Sequence, residues 1–414
     1  MPYKPNYFYR LLSILFFVFI LFGCGNTKSA KKTNPTESKI WVGTWSTAPQ
    51  LVEPHNNPPE PGLTNNTIRQ VVRVSIGGDN IRLRLSNEFS KSPVTIKEIQ
   101  VAASTGSSTI DASTIKTLTF SNKKEVVMEP GVAISSDVFS FHLKPRMDVA
   151  ITIYFGETSA DVTGHPGSRT TSYILTGDKT ASIDFKNAIK TDHWYVINGI
   201  DVMAPKPASA VAIIGNSITD GRGSGTNKQN RWPDILSEKL LKNPSTKNIG
   251  VLNMGIGGNC VLNGGLGPTA VNRFQRDVLN QHGVRWLIIL EGVNDLGGTR
   301  DSDSANQVAQ GLIAAYEKMI NEAHAKNIKV YGATILPITK SFYYKDYREV
   351  ARNTVNDWIR NSDKFDAVID FDKTMRNPED TSTLLPTLHT GDYLHPNEAG
   401  YVVMGEAVDL ALFE

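Results

Sequence analysis

Two hydrophobic patterns in one chain predict its architecture: an α/β domain, three-layered around a parallel sheet, preceded by an antiparallel β-sandwich-like domain. From about Ile40 to Ile200 apolar and polar residues alternate, as in Ile81-Arg82-Leu83-Arg84-Leu85 and Val149-Ala150-Ile151-Thr152-Ile153. Turn-forming clusters such as Gly77-Gly78-Asp79-Asn80 and Gly164-His165-Pro166-Gly167 separate these runs. Many short period-two segments at close spacing predict antiparallel β-structure. After about Pro205 the runs become continuous: Ala210–Ile214, Val251-Leu252, Trp286–Leu290, Val330–Leu336 and Ala367–Ile369. Unbroken apolar runs suit parallel strands covered on both faces. Amphipathic stretches lie between them, most clearly over 304–326, where Val308, Leu312, Ala315, Met319 and Ile320 recur near helical spacing. Strand alternating with helix predicts helices on both faces of the sheet.

The first forty residues carry a different signal. Lys4 and Arg10 precede the apolar run 11–22, which is too short to span a bilayer as a stable helix, since that takes about 20 residues. The run fits the core of a secretory signal peptide. It ends in Leu21-Phe22-Gly23-Cys24, which resembles the lipobox of bacterial lipoproteins, with Phe22 bulkier than the small residue usual there. The resemblance implies lipidation at Cys24 and a protein anchored outside the cytoplasm, periplasmic or at the cell surface. Residues 24–39 contain no apolar side chain larger than Ala30 before Ser38 and read as a tether. The expected divisions are 1–23 signal, 24–39 tether, 40–205 β-rich accessory domain and 206–414 α/β domain.

Composition narrows the function. Of the 414 residues, 43 are Lys or Arg and 41 Asp or Glu, a net charge of +2 without the basic excess of a dedicated nucleic-acid binder. Two cysteines, Cys24 and Cys260, make no disulfide framework and no C-x-x-C. The eight histidines form no H-E-x-x-H and show no ligand spacing, so no metal or other cofactor is expected. There is also no G-x-S-x-G elbow.

Ligands of parallel sheets bind beyond the carboxyl ends of the strands. Four stretches fall there or just before the last helix: Gly215-Asn216-Ser217-Ile218, Asn253–Gly258, Gly292-Val293-Asn294-Asp295 and Asp392-Tyr393-Leu394-His395-Pro396. A serine hydroxyl needs a neighbouring base, and imidazole titrates in the working range. Asp392 is the only aspartate three residues before a histidine, and such a carboxylate can orient the imidazole of His395.

In these four blocks, taken in order, the sequence resembles the SGNH (GDSL-type) hydrolases, whose fold is flavodoxin-like. The resemblance implies Ser217 as nucleophile, His395 as base and Asp392 as its partner. It implies an oxyanion hole from the Ser217 N–H, the Gly258 N–H and the Asn294 amide, with Gly255 and Gly257 as neighbouring alternatives to Gly258. Asn216 departs from the family, which usually has aspartate before the serine. The opening Trp41–Pro49 and the β-rich half are similar to secreted two-domain bacterial members. The expected activity is a carboxylic-ester hydrolase working through an acyl-serine, with a short acyl group, such as acetate, on a polysaccharide or oligosaccharide. Alternatives are a lipid or aryl esterase, an acyltransferase, or a retired glycan-binding lipoprotein.

Several residues have plain readings. Cys260 is expected to be an inert packed thiol, and His389 a surface or packing residue. The glycine-rich 255–267 is expected to line the site. Trp41, Trp45 and Trp194 read as core more readily than as a sugar platform. Arg169 and Tyr173 stay open between binding and structure.

Overall fold

The computed structural model describes residues 38–414. The expected signal segment 1–23, Cys24 and the tether to residue 37 lie outside the described residues. Among the described residues no helix is long and apolar enough to cross a membrane.

The N-terminal half is antiparallel β-structure. One sheet runs β1 (Lys39–Ser46), β8 (Ile197–Pro205), β3 (Gly78–Asn87), β5 (Phe139–Leu143) in that spatial order. The second contains β7 (Ser172–Thr176), β2 (Asn66–Arg73), β6 (Asp148–Phe155) and β4 (Val94–Gly106). Period two explains the packing: Ile81, Leu83 and Leu85 of β3 and Ile68 and Val72 of β2 enter one apolar cluster. The polar residues between them have a second use. Arg82 and Arg84 converge on the fully buried Asp201 of β8, at 3.0 and 3.5 Å, and Arg84 Nη2 donates to Gln281 Oε1 in the C-terminal half at 2.7 Å. The outer face of this sheet is therefore an internal surface.

The C-terminal half is built on five parallel strands: β9 (Ser209–Gly215), β10 (Ile249–Gly255), β11 (Val284–Leu290), β12 (Lys329–Ala333) and β13 (Ala367–Ile369). Their spatial order is β10-β9-β11-β12-β13, every pair parallel. Each residue of β9 is buried because both faces are covered. Ala212 and Ile214 point into a cluster with α5 (Ser302–His324) and α6 (Asp346–Asn361). Val211 and Ile213 point oppositely, toward α2 (Trp232–Lys242) and α8 (Glu398–Ala407). Helix α5 spans the expected periodic stretch, and Asp301 caps it by accepting the Ser304 N–H at 2.8 Å. The run 330–336 pairs only as far as Ala333; beyond that it leads into the loop that carries Phe342 and Tyr343.

The two halves form one compact unit over Ser38–Glu414. The apolar cluster of the β-rich half also takes in Ala210, Leu252, Met254 and Ile256. Strand β1 lies against the edge strand β10. The Val251 N–H donates to Ser75 Oγ at 3.0 Å, and the Gly43 N–H to the His282 carbonyl at 2.9 Å. Contact is closest at Gly250, where an added Cβ would stand 2.2 Å from the Gly43 carbonyl oxygen. Gly250→Ala is expected to destabilise the protein by about 1–3 kcal/mol through this overlap, seen as a lower urea midpoint. An unchanged midpoint would show that the backbones are not in contact.

Candidate active site

Strand β9 ends at Gly215, and the chain turns at once into the single-turn α1 (Ser217–Asp220). Asn216 caps that turn by accepting the Ile218 N–H at 3.1 Å. Ser217 Oγ lies 2.9 Å from His395 Nε2, and His395 Nδ1 lies 2.6 Å from Asp392 Oδ2. Serine, histidine and aspartate thus stand in one hydrogen-bonded series, although the serine is 178 positions from the histidine.

The 392–395 segment is a bend held by its own backbone. Asp392 Oδ1 accepts the N–H groups of Leu394 and His395 at 3.0 and 2.9 Å. Burial alone would raise the Asp392 pKa; hydrogen bonds from the His395 ring and these two N–H groups outweigh it, and the carboxyl titrates at about 2. His389 is buried and steadies the same bend, its Nδ1 accepting from Gly391 and Tyr393. Burial lowers the His395 pKa. Asp392 opposes that shift, while the charges of Arg222 and Arg169 add to it.

Residues that can stabilise an oxyanion face Ser217 across the same cavity, whose volume is about 340 Å3. Among the described residues no acceptor takes the N–H of Ser217 or of Gly258. Gly258 adopts φ +69, a conformation that disfavours any residue with a Cβ. The Gly255 N–H is already given to Asn253 Oδ1 at 2.9 Å, which removes that alternative. Asn294 is oriented from both ends: its Oδ1 accepts from Tyr343 Oη at 2.8 Å and its Nδ2 donates to the Asn259 carbonyl at 2.7 Å. An amide nitrogen carries two hydrogens, so one stays available to the cavity. Asp295 faces away and accepts the N–H groups of Val261 and Leu262, which fixes the loop after Gly258.

Cys260 is buried, and burial, with Asp295 and Glu291 adding, pushes its thiol up to about 12. Gly257, Gly258 and Leu266 of the glycine-rich stretch line the cavity. Trp45 and Trp194 are buried and pack edge to face at 5.1 Å, while Trp41 lies under Arg82. Tyr173 is buried within β7 and does not reach the cavity, whereas Arg169 does. Among the described residues no group of three or more His, Cys, Asp or Glu is placed to hold a metal.

Sequence reasoning missed one wall. Gln50, Glu53, Asn56, Gly167, Arg169 and His193, all from the β-rich half, line the cavity opposite α1. They meet the catalytic half at a buried contact, His165 Nε2 to Asp220 Oδ1 at 2.9 Å, with His165 Nδ1 donating to the Ala48 carbonyl. The exposed Phe342 and its neighbour Tyr343 form another part of the rim. The only sequence signal was Arg169 inside a turn-rich segment.

For a base that must be neutral to accept a proton, a lowered pKa extends its working range toward acid. The acid limb of kcat/KM for a neutral ester is expected below the ordinary histidine value of 6.5. A limb above 6.5 in the pH–rate profile would contradict the charge balance around His395.

Comparison with known proteins bears on this half of the chain. The GDSL-like Lipase/Acylhydrolase family model matches residues 213–403. No curated protein matches the chain. Similar solved structures include a catalytic mutant of an acetylxylan esterase from Geobacillus stearothermophilus, 21% identical with a TM-score of 0.38, covering 49% of this chain and 94% of that one. A GDSL-like lipase from Bacteroides thetaiotaomicron is 23% identical with a TM-score of 0.36, covering 50% of this chain and 88% of its own. A member of the lipolytic G-D-S-L family from Veillonella parvula is 21% identical with a TM-score of 0.36, covering 48% and 96%. The matched segment is a GDSL-like lipase/acylhydrolase domain that holds Ser217, Gly258, Asn294, Asp392 and His395, and with it the chain is an ester-hydrolysing enzyme.

Proposed function

We propose that the protein is a serine esterase that removes short acyl groups, acetate foremost, from carbohydrate. The observation that carries the reading is the unbroken hydrogen-bonded series Ser217–His395–Asp392 opening onto a cavity lined by Gly258 and Asn294. His395 takes the Ser217 proton as Oγ attacks the carbonyl carbon, and Asp392 holds the ring and stabilises its charged form. Negative charge grows on the carbonyl oxygen. The Ser217 N–H, the Gly258 N–H and the Asn294 amide receive it, one such donor supplying about 2.7–4 kcal/mol. Protonated His395 then gives its proton to the departing alcohol, and water resolves the acyl-serine with His395 again as base.

The cavity supports a small acyl group and a polar alcohol. Most of the residues that line it carry polar side chains, with Leu266, Phe342 and Leu394 as the larger apolar members. A long acyl chain would need a longer apolar channel to bury its methylenes, at about 0.8 kcal/mol each. The retired glycan-binding alternative has less support, because the proton path is intact. The flavodoxin-like reading of the catalytic domain is supported by its strand order, in which the first two strands exchange places. We also propose that the enzyme works outside the cytoplasm, tethered through a lipid on Cys24; the support is the apolar run 11–22 followed by Leu21-Phe22-Gly23-Cys24.

Ser217→Ala is expected to abolish release of acetate from p-nitrophenyl acetate and acetylated oligosaccharides, with the melting temperature little changed. Turnover by that variant would refute the nucleophile. Cys24→Ala is expected to move the protein from the membrane fraction to the soluble one, and an unchanged fraction would refute the anchor.

A further inference from the structure

One side chain in the cavity wall has no structural partner. Arg169 comes from the β-rich half and is partly buried, yet its guanidinium makes no hydrogen bond or ion pair among the described residues. Its Nε is buried and unpaired, a costly state for a charged group. The backbone stands at φ +51, a region a non-glycine residue seldom occupies. Its turn is fastened to the catalytic half. The Arg169 carbonyl accepts the Asn227 N–H at 2.9 Å, Asn227 Oδ1 accepts the Thr171 N–H at 2.7 Å, Gln229 Nε2 donates to Thr170 Oγ1 at 2.7 Å, and Arg231 donates to the Ser168 carbonyl. A cation held so firmly in an unfavourable conformation, with nothing to pair with, is a place to look for a ligand contact.

A second unpaired cation shares the cavity. Arg222, five positions after Ser217, is exposed, and its side chain also has no partner among the described residues. Two of the acidic groups nearby are engaged: Glu53 accepts from Gln50 Nε2 at 2.7 Å and Asn56 Nδ2 at 3.0 Å, and Asp392 faces His395. Asp220 meets His165 through Oδ1, and its Oδ2 is buried without a partner among the described residues. The leaving oxygen must receive its proton from His395, so the alcohol half of the ester lies on the His395 side. Arg169 and Arg222 line the same cavity as His395 and Ser217.

Building on the esterase reading above, we propose that Arg169 and Arg222 form an anion subsite for the alcohol half. The preferred substrate is then an acyl ester of a sugar bearing a carboxylate or a sulfate near the acylated hydroxyl. Guanidinium groups suit both, since paired N–H donors match planar or tetrahedral oxyanions.

The test uses the full chain and three methyl glucosides, each with one acetyl ester on the 3-hydroxyl, differing only at carbon 6: hydroxymethyl, carboxylate or 6-sulfate. p-Nitrophenyl acetate is run beside them and reports the esterase reading alone. At least one anionic substrate is expected to show kcat/KM tenfold or more above the neutral one, the gap narrowing as sodium chloride is raised. The carboxylate and sulfate arms tell which anion is taken. Arg169→Gln and Arg222→Gln should each shrink the gap and the double variant erase it, while Arg169→Lys keeps part of it. If p-nitrophenyl acetate is turned over but the neutral sugar is as good as both anions, the subsite is overturned and the esterase reading stands. A preference that survives the double variant overturns the subsite as well. If p-nitrophenyl acetate is not hydrolysed, the esterase reading fails. Calorimetric binding of methyl glucuronide against methyl glucoside, to wild type and Arg169→Gln, then decides the subsite by itself.

Discussion

One buried guanidinium holds the ends of the central strands together. Arg273 is almost fully buried, and it donates to the Gly215 carbonyl at the end of β9, the Met254 carbonyl near the end of β10 and the Asn259 side chain in the next loop. Its charge is met by Asp277 at 3.1 Å, and Glu291, after β11, lies 3.4 Å away. Ser217, Gly258 and Asn294 each follow directly on a segment that this side chain or its partner grips. Donors that stabilise a transition state must be in position before the charge develops, so the value of Arg273 is geometric. The same network accounts for Asn216. Glu291 is so deeply buried that its pKa rises to about 8 despite Arg273, and Asn216 Nδ2 approaches its carboxyl at 3.3 Å as a donor. An aspartate at 216 would put a second carboxyl group beside Glu291 and make ionising either one costlier. The amide keeps the helix cap and adds no charge.

Around this rigid centre, the β-rich half acts as part of the site. It supplies a wall of the cavity and touches the turn that carries Ser217 through the buried His165–Asp220 contact. The C-terminal half brings Ser217, His395 and Asp392 together; the other half adds polar and charged side chains to the cavity wall. The cavity is therefore lined by segments far apart in sequence, joined by Asn227, Gln229 and Arg231.

Much of the catalytic half was legible because its signals are local. A fully apolar β9, glycine-bearing strand ends and an aspartate three residues before a histidine are all visible in short windows. The β-rich half hid its function because its signals are relational. Arg82 and Arg84 alternate with apolar residues just as solvent-facing side chains would, yet they turn inward because Asp201 awaits them. Trp45 and Trp194 pack on each other, which nothing in their spacing announces. Tyr343 orients Asn294 across 49 positions, and Arg169 reaches the cavity only because a turn from one half is pinned by a loop from the other. Alternation shows which residues share a face and is silent on what that face meets.

The shared apolar cluster has a consequence for how the chain acquires its structure. The β-rich half emerges from the ribosome first, but its interior is completed by Leu252, Met254 and Ile256, and β1 is covered by β10. Until those residues arrive, the early half keeps an open apolar surface and an uncovered edge, the features that invite association with other chains. The interior of the early half is thus closed only by the later one, and the two are bound to fold as a single unit.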